Sequence, residues 1–123
     1  MRELWNQRGL IDDLLARGVD DWVDLGLVVD IARRGQPSSD EARTFLAIGL
    51  VSIVVIEGLM VAGAVSEGAF DPWHVSPGDA VERIVREWRQ VGTRPLLPGD
   101  IAWLCNTAAG DARGQVVLHR EQP

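Results

Sequence analysis

A chain of 123 residues has the size of one domain and can bury one hydrophobic core without covalent staples. Its 46% hydrophobic and 24% charged residues exclude global disorder, and the single Cys105 excludes an intramolecular disulfide framework and argues against a thiolate metal site. A net charge of −6 disfavours nucleic acid as a partner, because counterion release needs clustered cations facing phosphate.

The 12 basic residues are all arginine, and there are five tryptophans but no tyrosine. This skew follows the codon supply of a GC-rich bacterial genome, so arginine in place of lysine is not a sign of phosphate recognition. Residues Met1 to Arg8 have no apolar run behind their basic positions, which is not the pattern of a secretory signal and leads to the expectation of a cytoplasmic protein. The stretch Phe45 to Val65 nearly reaches the length of a membrane span. Glu57-Gly58 interrupts it and no basic cluster flanks it, so a buried central helix is expected instead.

In chain order, Leu4, Trp5, Ile11, Leu14 and Leu15 approximate helical spacing over residues 2–17, with Gly18 as the stop. Asp20, Asp21 and Asp24 crowd a helix start, where the macrodipole favours anions, and Arg33-Arg34 sit at the matching end, which predicts a second helix over 21–34. Ser38 and Glu41 have the spacing of a capping box, and a third helix runs from there to Glu57. It is almost without polar side chains after its first turns, so it is expected to be buried nearly all round.

Residues 59–65 are short, apolar and glycine-bearing, and predict a strand. The segment Phe70-Asp71-Pro72-Trp73-His74 reads as an aromatic loop. Ser76-Pro77-Gly78-Asp79 combines an N-cap, proline at the first helical position and an acid in the first turn, which predicts a fourth helix from Pro77 to Val91, stopped by Gly92. A second strand is expected over 101–106 and a turn over 107–113. Residues 111–123 are expected to be a loose tail or a short edge strand. The whole is one domain, 1–123, mainly α in an α+β arrangement: three helices and then a short β-hairpin with a fourth helix inserted, which is the layout of a winged helix. The alternative is an all-helical bundle.

Few residues carry chemistry. His74 and His119 lie far apart in the sequence and share no ligand spacing with each other or with Cys105, so no metal site and no cofactor are expected. There is no phosphate-cradling loop and no set of acid, base and nucleophile, hence no catalytic residue and no enzyme. Residues 1–30 carry Glu3, Asp12, Asp13, Asp20, Asp21, Asp24 and Asp30 against Arg2, Arg8 and Arg17, a local charge of −4 that suits a basic protein partner as well as it suits helix starts and solubility. Asp12, Asp13, Asp20, Asp21 and Asp24, together with Phe70 and Trp73, are therefore the candidate partner contacts. Trp73 has a competing role as a core anchor.

Arg83, Arg86 and Arg89 form the one cationic stripe and are the candidate nucleic-acid contacts of the alternative reading. Glu82 and Glu87, each four positions from an arginine, are placed to neutralise much of it.

The runs Glu57-Gly-Leu-Met, Phe70-Asp-Pro-Trp73, Ser76-Pro-Gly-Asp-Ala80, Arg83-Ile, Glu87-Trp88 and Gly99-Asp-Ile-Ala-Trp-Leu104 with Asn106-Thr107 resemble a group of small uncharacterised winged-helix-like proteins of GC-rich bacteria. Some of that group are associated with toxin and immunity gene clusters. The resemblance covers about half the chain and transfers no catalytic residue. It implies a non-catalytic domain acting by protein contact, an immunity protein neutralising a basic toxin, with a DNA-binding regulator as the alternative. A homodimer covering apolar surface left on the third helix is also expected. Ile53 is expected in the core, where an aspartate would cost several kcal/mol.

Overall fold

The computed structural model describes residues 8–122, so Leu4 and Trp5 of the first predicted helix lie outside the described residues. Five helices and four strands are present among them. Helix α1 (Leu10–Arg17) is followed by the two-residue strand β1 (Val23–Asp24), α2 (Leu25–Arg33), α3 (Asp40–Ile56), the strands β2 (Met60–Ser66) and β3 (Ala69–Pro72), α4 (Pro77–Val91), β4 (Trp103–Asn106) and α5 (Ala108–Arg120). The strands form one sheet in the order β1-β4-β2-β3, antiparallel throughout. The fold is thus mixed α and β, and the all-helical alternative is ruled out.

Local chemistry accounts for most of these boundaries. Ser76 Oγ accepts the Asp79 N–H at 3.1 Å, Pro77 opens α4, and Gly92, at φ 70°, ends it, as expected. On α3 the cap falls one residue later than the expected pair: Ser39, not Ser38, accepts the Ala42 N–H at 3.0 Å. The β2–β3 turn places both Glu67 (φ 52°) and Gly68 (φ 77°) in the left-handed region, as a two-residue hairpin turn requires.

Several expectations need correction. The second helix begins at Leu25 rather than Asp21, because Val23 and Asp24 pair with Leu104 and Trp103, a non-local ladder that overrides the local helix-start signal. The aromatic loop is partly a strand, since Ala69–Pro72 pairs with Ser66–Gly63.

The segment after Thr107 is neither turn, loose tail nor edge strand but helix α5, capped by Thr107 Oγ1, which accepts the Gly110 N–H at 3.2 Å and donates to Gly58 O at 2.6 Å. Its glycines weaken the helical signal in sequence but are needed in space. A Cβ on Gly114 would lie 2.5 Å from Leu15 O, and one on Gly110 would lie 2.0 Å from Leu59 O, so α5 packs against the backbones of α1 and of the residue leading into β2.

The core gathers Leu14 and Leu15 of α1, Val28 and Ile31 of α2, Leu50, Val51 and Val54 of α3, Met60 of β2, Ile84 and Trp88 of α4 and Leu104 of β4. Helix α3 lies against this core on one side only. Ala47, Leu50, Val51, Val54 and Val55 are buried, whereas Phe45 is 72%, Ile53 45% and Ile56 55% exposed. The expectations of all-round burial and of a core position for Ile53 are therefore corrected: the helix is apolar on both sides but covered on one. No described helix is long and apolar enough to cross a membrane.

Candidate functional site

The N-terminal acids do not assemble into one face. Asp13 is 2% exposed, and its carboxylate is enclosed by three guanidinium groups: Oδ1 accepts from Arg8 at 2.8 Å and Arg17 at 3.0 Å, and Oδ2 from Arg34 at 2.6 Å. Burial pushes this carboxyl up, but the hydrogen bonds from Arg8 and Arg17, the charge of Arg17 and the bond from Arg34 outweigh it and hold the group below its ordinary value.

Arg8 also forms a fork to Glu121 at 2.5 and 2.6 Å, which lowers the Glu121 carboxyl and raises the Arg8 guanidinium. Asp12 pairs with Arg113 at 3.0 Å and Arg120 at 3.9 Å, both on α5. Asp12 and Asp13 thus serve to hold α1 against its neighbours, and Asp13 is closed to a partner.

The other expected contacts are scattered. Asp20 and Asp21 are exposed in the loop between α1 and β1, at a cavity of about 310 Å³ that Trp22, Cys105 and Asp111 also line. Asp24 is half-buried at the β1–α2 junction, paired with Trp103 across the sheet. The half-buried Phe70 sits over Gly63, where an added Cβ would meet its ring at 2.7 Å. Trp73 packs on the core, donates its backbone N–H to Ala62 O at 2.9 Å, and has the Arg83 guanidinium stacked 3.7 Å from its ring centroid. Its role is that of a core anchor.

The arginine stripe of α4 divides in the same way. Arg83 is committed to Trp73 and to Glu87 at 2.8 Å, whereas the expected Glu82–Arg86 pair does not form. Arg86 opens onto a cleft with Gln90, Arg94 and Asp100, and Arg89 onto a different one with Glu41 and Trp88. A three-residue step rotates about 60° short of a full turn, so three such residues fan out instead of tracking one line.

Cys105 is partly buried, and burial together with the charge of Asp111 pushes its thiol up, away from the reactive thiolate. No group of three or more His, Cys, Asp or Glu side chains converges as metal ligands among the described residues. Asn106 donates to Leu15 O at 2.9 Å and to Asp111 Oδ1 at 3.1 Å. Its own Oδ1 is buried without a partner, facing Gly18, where a Cβ would come within 2.4 Å.

Apolar surface left on the third helix was expected, but sequence reasoning did not identify the residues that form it, which lie on the outer face of α3. Phe45, Gly49, Ser52, Ile53 and Ile56 recur at i, i+4, i+7, i+8 and i+11, a second helical stripe opposite the buried one. Ser52 turns its hydroxyl inward, donating to Ile48 O at 2.7 Å, and a Cβ on Gly49 would meet open space. The centre of the stripe is therefore flat and has no demanding polar group.

Beside its N-terminal half lies an apolar cavity of about 170 Å³ between α3 and α4, walled by Thr44, Phe45, Ile48 and Trp88 with Glu41 and Arg89 at the rim. This surface can bind apolar side chains from another molecule. The signal was in the sequence as a second 3.6-residue period, hidden because a helix apolar all round presents no contrast. Comparison with known protein families, with curated proteins and with solved structures finds no match.

Proposed function

We propose that this chain is a non-catalytic protein-contact domain of winged-helix-like layout, working through the outer face of α3. The order α1-β1-α2-α3 followed by the antiparallel pair β2 and β4, with α4 inserted between them, supports the layout. In such a module α3 stands where a DNA reader needs arginine, lysine or amide side chains. Here that helix presents Phe45, Ile53 and Ile56 instead, and this observation carries the proposal. From Ser38 to Ser76 the charged residues are Asp40, Glu41, Glu57, Glu67 and Asp71 against Arg43 alone, and Arg43 is paired with Asp40 at 2.6 Å. Phosphate would be repelled from helix and hairpin together.

Neutralisation of a toxin, as an immunity protein, is the particular form that the resemblance adds. The exposed Asp20 and Asp21 would then speed the approach of a basic partner. The test is a photo-crosslinking residue at position 53 in cells, with position 112 on α5 as control, beside a gel-shift titration on duplex DNA. A protein adduct at 53 and none at 112 is expected. Saturable, salt-sensitive DNA binding below about micromolar concentration would replace the proposal with the regulator reading.

A further inference from the structure

The α3 face also carries information about what covers it. Taking it as a protein-contact surface, as proposed above, we infer that its occupant is a basic amphipathic helix of another protein, laid along the groove between α3 and α4. An aliphatic side chain of that helix fills the cavity beside Phe45 and Ile48, and a lysine or arginine reaches Glu57.

Two arguments select this occupant over a second copy of the chain. The first is area: the exposed parts of Phe45, Ile53 and Ile56 amount to on the order of 300 Å² of apolar surface. A stable dimer of globular subunits buries about 800 Å² per partner, of which about 450–500 Å² is apolar, whereas a single helix in a groove engages through a few apolar anchors of its own. The stripe offers apolar side chains at its two ends, Phe45 and Ile56, and Gly49 and Ser52 let a helix backbone come close at its middle.

The second argument is charge. Glu57 caps the C-terminus of α3, where the macrodipole already favours a cation, and the last turn has no basic residue. Among the described residues neither Glu57 nor Glu41 has an ion-pair partner, while the other acid of the first turn, Asp40, is matched by Arg43. Parallel self-pairing would set Glu57 on Glu57, and antiparallel self-pairing would set Glu57 on an end where Arg43 is already held by Asp40 and Arg89 stands beside Glu41. Neither supplies Glu57 with a free cation, and a basic helix does.

The test is selection from a display library of helical peptides of about 18 residues with a fixed leucine stripe and flanking positions drawn from Lys, Glu and Ser, followed by anisotropy titration of the enriched peptides. The expected peptides carry lysine beside the stripe. Their affinity should fall about tenfold or more on the double variant Phe45→Ala with Ile56→Ser, and the charge preference should reverse on Glu57→Lys. Thermal melts of each variant establish that the fold is kept.

Enriched peptides that depend on Phe45 and Ile56 but are acidic or uncharged overturn the basic-helix inference and leave the protein-contact reading standing. A helix library yielding no peptide that depends on those residues overturns the helix inference, and the protein-contact reading then rests on the crosslinks at 53. A dimer in sedimentation equilibrium at micromolar concentration, dissociated by Ile56→Ser, would assign the face to a second copy instead.

Discussion

Replacing Asp13 with asparagine removes one buried negative charge and almost no volume, and it tests whether the N-terminal acids are structural. The carboxylate accepts three hydrogen bonds, at 2.8, 3.0 and 2.6 Å, each from a guanidinium. A charge-assisted bond contributes about 1.5–3 kcal/mol, and breaking a buried ion pair costs about 3–5 kcal/mol. The arginines are 22%, 47% and 39% exposed and can recover part of their hydration, so the loss should be near the lower end, about 3 kcal/mol. For a domain of this size that lowers Tm by about 10 °C.

The pH dependence follows from the depressed carboxyl. Its contribution is fully present above the unfolded-chain value of about 3.9 and is lost as pH falls through the lower folded value. Urea unfolding of both proteins, followed by circular dichroism, should therefore give a constant gap between pH 7 and about 5 that narrows below about 4. A gap under about 1 kcal/mol at neutral pH, or one that persists unchanged into acid, would refute the account of this cluster.

Two further substitutions separate packing from propensity. Gly114→Ala, whose Cβ would meet Leu15 O at 2.5 Å and Val19 Cγ2 at 2.7 Å, should cost about 2 kcal/mol despite the better helix propensity of alanine. Gly49→Ala on the open face of α3 should instead stabilise by about 0.5–1 kcal/mol, and equal effects in denaturant titrations would contradict the packing described. Ile53→Asp should cost no more than about 2 kcal/mol, against about 4 or more for Val54→Asp, because Ile53 is 45% exposed and its neighbour fully buried; melts that reverse this order would put the wrong face of α3 in the core.

Helix ends and turns were legible because their signals are local. Ser76-Pro77 starts α4 and Gly92 stops it through contacts within a few residues, and the predicted span matches the structure. What was illegible depended on distant partners. Residues 21–24 have the acids of a helix start, but Leu104 and Trp103, eighty positions away, draw Val23 and Asp24 into a strand. Gly110 and Gly114 read as breakers because the backbones they let approach belong to Leu59 and Leu15. The ion pairs of Asp12 with Arg113 and of Arg8 with Glu121 join positions more than a hundred residues apart, which no charge count along the chain reveals.

The same distinction reorders the candidate site. Charge asymmetry in the first thirty residues looked like a recognition surface, yet two of its acids, Asp12 and Asp13, are matched by arginines of α1, α5 and the segments next to α1 and α2, which fix one helix pair in place. A carboxylate that is 2% exposed and bonded to three guanidinium groups is out of a partner's reach and would be destabilised by losing them. An exposed isoleucine or phenylalanine is the opposite case: covering it gains the hydrophobic free energy that folding left unused. On the proposed reading the free energy for binding lies on the apolar outer face of α3, and exposed acids such as Asp20, Asp21 and Glu57 would act on how a partner approaches and which partner is accepted.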